Sequence, residues 1–70
     1  MAKPEVVYVI HCRHGGKEFD QHVAATDVKE VAGKDGLELR LKHRGTWVTY
    51  PPGLWESYEK DEALTARLNR

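Results

Sequence analysis

Cysteine and serine each occur once in these 70 residues, no apolar run is long, and neither sign of charge is in excess. With Cys12 alone, no internal disulfide can form. That points to a reducing compartment, a cytoplasm, bacterial or that of a phage-infected host. The opening MAKPE has no apolar run after Lys3, unlike a secretion signal. The apolar run at residues 6–10 is too short to cross a bilayer, so no membrane association is expected. Eleven basic residues stand against eleven acidic ones, a formal charge of zero with neutral histidine. This argues against the overall basic excess of many nucleic-acid-binding proteins and leaves local patches open. Little net repulsion opposes self-association, so a monomer or a homodimer is expected.

Catalytic patterns are missing as well. There is no glycine-rich phosphate loop, and Ser57, expected in the C-terminal helix, is not expected near a histidine. The carboxylates Glu59, Asp61 and Glu62 fall in a solvated stretch. The chain is also short for an enzyme, so it is expected to be non-enzymatic and to need no cofactor. One domain, residues 1–70, is all that this length allows. Such a chain buries only about 60% of the surface its unfolded form exposes. Residues 1–5 are expected to fray, and so are residues 62–70 at the end of a C-terminal helix.

What is present is a series of hairpin signals. VVYVIHCR at residues 6–13 is β-branched and aromatic, the composition of a strand. Gly15–Gly16 marks a tight turn, since both residues accept positive φ. A two-residue turn there places Cys12 opposite Phe19, Ile10 opposite Gln21 and Tyr8 opposite Val23. On the other face it places Arg13 opposite Glu18 and His11 opposite Asp20. One face is then mostly apolar and the other carries two opposite-charge pairs. Val7 and Val9 do not suit a solvated face, which predicts a central first strand covered on both sides at its start.

Residues 26–32 read as a strand or as a helical turn capped by Thr26 or Asp27. The strand is preferred, because the next segment needs a neighbour. Leu37–Glu38–Leu39–Arg40–Leu41–Lys42 alternates apolar with charged, the mark of a half-buried strand. Arg44–Gly45 turns it back into a strand at residues 46–50. A two- or four-residue loop sends Val48 and Tyr50 inward and leaves Trp47 outside beside Lys42 or Arg40; a three-residue loop, residues 43–45, sends Trp47 inward. Burying Val48 and Tyr50 removes more apolar surface, which favours the first. Pro51–Pro52 ends the sheet. Leu54, Trp55, Tyr58, Leu64 and Leu68 share a helical face interrupted by Asp61 and Thr65, which predicts a short helix over residues 54–60. In element order alone, residues 23–58 resemble the later part of LytTR-type DNA-binding domains.

The expected fold is therefore α+β: four or five antiparallel strands made of hairpins, with one C-terminal helix packed on one face. The expected core is Tyr8, Ile10, Cys12, Phe19 and Val23, then Leu37, Leu39, Leu41, Val48 and Tyr50, then Leu54 and Tyr58.

Three constellations bear on function. His11, Cys12, His14 and His22 include zinc-ligand types. In a strand, however, His11 and Cys12 point to opposite faces and the spacing matches no standard motif, so no metal site is expected. Four of the six aromatics fall between Trp47 and Tyr58. One short helix and one hairpin do not need that many rings, so Trp47 or Trp55 is expected at the surface. Trp47, Pro52, Trp55 and Tyr58 would then form an anchor for a partner protein. Finally, Arg40, Lys42, His43 and Arg44 make a basic hairpin tip able to hold phosphate beside an aromatic. The leading expectation is a small non-enzymatic protein that docks onto another protein, a regulator or inhibitor of the kind phages encode. The alternative is a nucleic-acid-binding module using the basic hairpin at residues 40–45.

Overall fold

Two glycines with positive φ, Gly15 at 60° and Gly16 at 78°, set the first hairpin. The twist of such a turn matches that of its flanking strands, which are β1 (Val6–His14) and β2 (Lys17–Ala25). Their register pairs Cys12 with Phe19, Ile10 with Gln21 and His11 with Asp20, as the turn predicts. The structure, a computed structural model, describes residues 3–69. Of the ends expected to fray, residues 1, 2 and 70 lie outside this range.

The chain bends at Thr26 and enters β3 (Asp27–Gly33), so the strand reading of that stretch holds. Then follow β4 (Gly36–His43) and β5 (Thr46–Tyr50). His43 pairs with Thr46, leaving Arg44 and Gly45 as a two-residue loop, both with positive φ. Leu41 therefore faces Val48, Leu39 faces Tyr50, and Lys42 stands beside Trp47 on the outside.

After Pro51 the structure departs from expectation. Residues 55–60 are not a helix but β6 (Trp55–Lys60), antiparallel to β1. The apparent helical spacing of Trp55 and Tyr58 comes from a bulge. Cys12 pairs with Trp55 and His11 with Ser57, so Glu56 is the extra residue. The bulge puts two residues three apart on one face of a strand. It also removes the element order behind the resemblance to LytTR-type domains.

The helix, α1, spans Glu62–Leu68, within the stretch expected to fray. Asp61 caps it, its carboxylate accepting from the Leu64 N–H at 2.9 Å. Glu62 in the first turn and Arg67 in the last suit the helix dipole. The Thr65 hydroxyl accepts from the Val7 N–H at 2.9 Å, and the Asp61 N–H donates to the Val7 carbonyl at 2.8 Å. Asp61 and Thr65, which seemed to interrupt an apolar stripe, are thus the cap and the docking contact.

The strands form two three-stranded sheets, β2-β1-β6 and β3-β4-β5, rather than one sheet of four or five. The reason is the alternation in β4. Its leucines need a facing apolar layer, and the inward face of β1 supplies one. Ile10, Cys12 and Ala25 of the first sheet pack with Leu39, Leu41 and Tyr50 of the second. Tyr50 donates to Gln21 at 2.7 Å across the layers. Val7 and Val9, 8% and 9% exposed, are buried outside this cluster, and α1 packs back onto β1.

Two expected core residues are exposed: Phe19 at 38% and Leu37 at 49%. β1 and β2 run nine residues each against five in β5, so Phe19 lies where the second sheet offers little cover, while Leu37 lies at the far end of β4, past Leu39 where the pairing with β5 stops. The leucines of β4 should accordingly respond unequally. Leu41→Ala or Leu39→Ala is expected to cost about 2–5 kcal/mol, whereas Leu37→Ala is expected to cost about 0.5 kcal/mol or less. Urea melts of the three variants check this ordering.

Candidate functional site

The strand pairings place two rows of side chains across the outer face of the second sheet. Asp27, Lys42 and Trp47 form one, and Lys29, Arg40 and Thr49 form the next. Trp47 is 41% exposed. The Lys29 ammonium lies 4.5 Å from its ring centroid and that of Lys42 lies 5.8 Å away. Such contacts at exposed sites contribute about 0.5–1 kcal/mol each. They place two cations beside the indole ring.

The two carboxylates of this face are already engaged. Asp27 accepts from the Lys3 ammonium at 2.7 Å, which holds its carboxyl below the ordinary carboxylate range. Glu38 accepts from Arg40 through Nε at 3.1 Å and Nη2 at 2.8 Å. Lys29 and Lys42 have no carboxylate partner among the described residues. A shallow cleft lined by Val31, Lys34, Glu38, Arg40 and Pro52 continues the face toward the β3–β4 turn.

The basic hairpin tip is split by the strand alternation. Arg40 and Lys42 lie on the outer face, and Arg44 is exposed at the turn. His43 turns inward, and its Nδ1–H donates to the Ala24 carbonyl at 2.6 Å. Lys29 was not among the sequence candidates. It joins them only once residues 27–33 are a strand paired with β4, and the signal was its offset by one residue from Val28.

The aromatic group is split as well. Trp55 and Tyr58 are half-buried, with Tyr58 edge-on to Tyr8 at 6.0 Å and tilted on Trp55 at 6.1 Å. The Trp55 indole donates to the Leu37 carbonyl at 3.2 Å. Pro52 lies against Gly36, where an added Cβ would meet it at 3.3 Å. These three belong to the inward side of the first sheet and its adjoining turn, and Trp47 stands apart on the outer face of the second.

The outer face of the first sheet has the opposite charge. Arg13 pairs with Glu18 at 2.5 Å and with Glu56 at 3.0 Å. His11 bridges Asp20 through Nδ1 at 2.8 Å and Glu59 through Nε2 at 3.3 Å. The zero net charge thus conceals an acidic face on one sheet and a basic one on the other.

Cys12 is buried, and burial pushes its thiol up. Its Sγ–H donates to the Ile10 carbonyl at 3.5 Å, so it fills space rather than offering a thiolate. Among the described residues, no three His, Cys, Asp or Glu side chains are grouped to hold a metal ion. No helix there is long and apolar enough to cross a membrane. Compared with protein-family models, with curated proteins and with solved structures, the chain finds no significant match.

Hydrogen bonds to Asp20 and then to Glu59 raise the pKa of His11 above its ordinary 6.5. Folding therefore favours protonated His11. Its contribution to stability is complete below about pH 6.5 and is lost as pH rises through the folded-state value. An NMR titration is expected to place the His11 midpoint above that of an ordinary histidine. His11→Gln is expected to reduce the loss of stability across that pH range.

Proposed function

We propose that this protein is a small non-enzymatic binding protein whose working surface is the outer face of β3, β4 and β5, and that this surface takes single-stranded nucleic acid. The observation that carries the reading is Trp47, exposed and flanked by Lys29 and Lys42, with Arg40 in the next row. An aromatic ring on an open sheet offers a platform for a base, and neighbouring cations hold the phosphates on either side. Because Asp27 and Glu38 are engaged by Lys3 and Arg40, the face remains attractive to anions although the whole chain is neutral. Arg44 extends it at the hairpin turn.

A docking surface for another protein is the second reading, and a different feature favours it. Leu37 is exposed beside Trp55, whose indole is bonded to its carbonyl, and Pro52 lies next to Gly36. Here the ring anchors an apolar rim rather than a cationic face.

Anisotropy of a labelled short oligothymidylate separates the two. Under the first reading, Trp47→Ala is expected to cost about 1–3 kcal/mol of binding free energy. With three or four phosphates neutralised, log affinity is expected to fall with log salt at a slope of about −2 to −3. Lys42→Ala or Lys29→Ala is expected to flatten that slope by about 0.7. Absence of any anisotropy change at low salt removes the nucleic-acid reading and leaves the Leu37–Trp55 rim.

A further inference from the structure

The outward edge of β2 carries a charge pattern that the basic face does not use, although Gln21 also accepts from Tyr50 and Asp20 from His11. β2 is the longest edge strand, nine residues, and β1 is its one partner. It contains neither a proline nor a bulge, whereas β6 carries the bulge at Glu56 and β5 runs into Pro51–Pro52. Such an edge invites pairing.

Which backbone groups it offers follows from β1. The Arg13 N–H donates to the Leu54 carbonyl and the Val7 carbonyl accepts from Asp61, so the odd-numbered residues of β1 bond toward β6. Cys12, Ile10 and Tyr8 must then exchange bonds with Phe19, Gln21 and Val23. That leaves the N–H and C=O groups of Glu18, Asp20 and His22 pointing outward. The Ala24 carbonyl is taken by His43, which closes that end of the edge.

The charges on this edge would repel many strands, but in one register they suit the strand itself. Set antiparallel to its own copy about Gln21, β2 places Asp20 opposite His22 and Phe19 opposite Val23, each pair occurring twice. Asp20 and His22 carry the outward hydrogen bonds, and Phe19 and Val23 form the closer pair without them. Centring on Phe19 would instead set Glu18 against Asp20. The chosen register also gives the exposed Phe19 a partner that the monomer lacks.

We propose that two copies of this chain associate through β2, antiparallel and centred on Gln21, joining their first sheets into one of six strands. The two-fold axis stands perpendicular to the joined sheet. Both Trp47 faces are therefore carried on the same side of the dimer. Pairing through β2 does not depend on what that face binds.

Light scattering across a concentration series tests it. The wild-type chain is expected to pass from monomer to dimer at high micromolar concentration. Asp20→Lys removes the carboxylate acceptor from both Asp20–His22 pairs and is expected to weaken the dimer about tenfold or more. The double change Asp20→Lys with His22→Asp restores complementarity and is expected to restore the dimer. Gln21→Cys sits on the axis in a pair with Cα atoms about 4.5 Å apart and is expected to form an intermolecular disulfide on oxidation. A wild-type chain monomeric at every concentration overturns the proposal. So does a dimer indifferent to Asp20→Lys, or a folded Gln21→Cys variant that does not cross-link.

Discussion

Hydrogen bonding along both edges of β1 joins the otherwise separate parts of this chain. On one edge it holds β2 through a short glycine turn. On the other, Leu54, β6 and the start of α1 follow one another along a single ladder, from the Arg13 N–H to the Val7 carbonyl and N–H. The two faces of β1 are used just as fully. Ile10 and Cys12 close the space under Leu39 and Leu41, while Val7 and Val9 are buried on the opposite face, on the strand against which α1 packs. A domain of this size has little apolar area to spare. Burying one strand on both faces and pairing it on both edges is how this chain, with its single cysteine, assembles a core.

Local signals in the sequence were reliable where one turn fixes one register. Gly15–Gly16 sets the pairs of the first hairpin, and Arg44–Gly45 sets the faces of Val48, Tyr50 and Trp47. The alternating leucines mark β4, though their spacing does not tell that Leu37 lies where the facing layer gives it little cover. What misled was periodicity across an irregularity. Trp55 and Tyr58 are three apart, which reads as a helix, and only the pairing with β1 shows the extra residue at Glu56. Asp61 and Thr65 read as polar faults in a stripe because their partners, Leu64 and Val7, are backbone groups. The division into two sheets turns on the bend at Thr26, for which no glycine or proline gives warning.

The same limits explain the candidate site. Arg40, Lys42 and Trp47 were legible because they lie on one hairpin. Lys29 comes from a strand of ambiguous pattern, and His43 was lost to the interior by alternation. Charge was the least legible feature of all. Totals of 11 and 11 cancel, yet β-strand alternation and sheet pairing sort them. Glu18, Asp20, Glu56 and Glu59 gather on one sheet, and Lys29, Arg40 and Lys42 on the other. A neutral chain can carry a basic face in this way, with an aromatic ring at its centre.

Amide and indole NMR during titration with a short oligothymidylate at low salt tests this most directly. The largest shifts are expected on Lys29, Arg40, Lys42, Thr49 and the Trp47 indole, with the Trp55 indole unmoved. Shifts centred on Leu37 and Trp55, or no shifts at all, would contradict it.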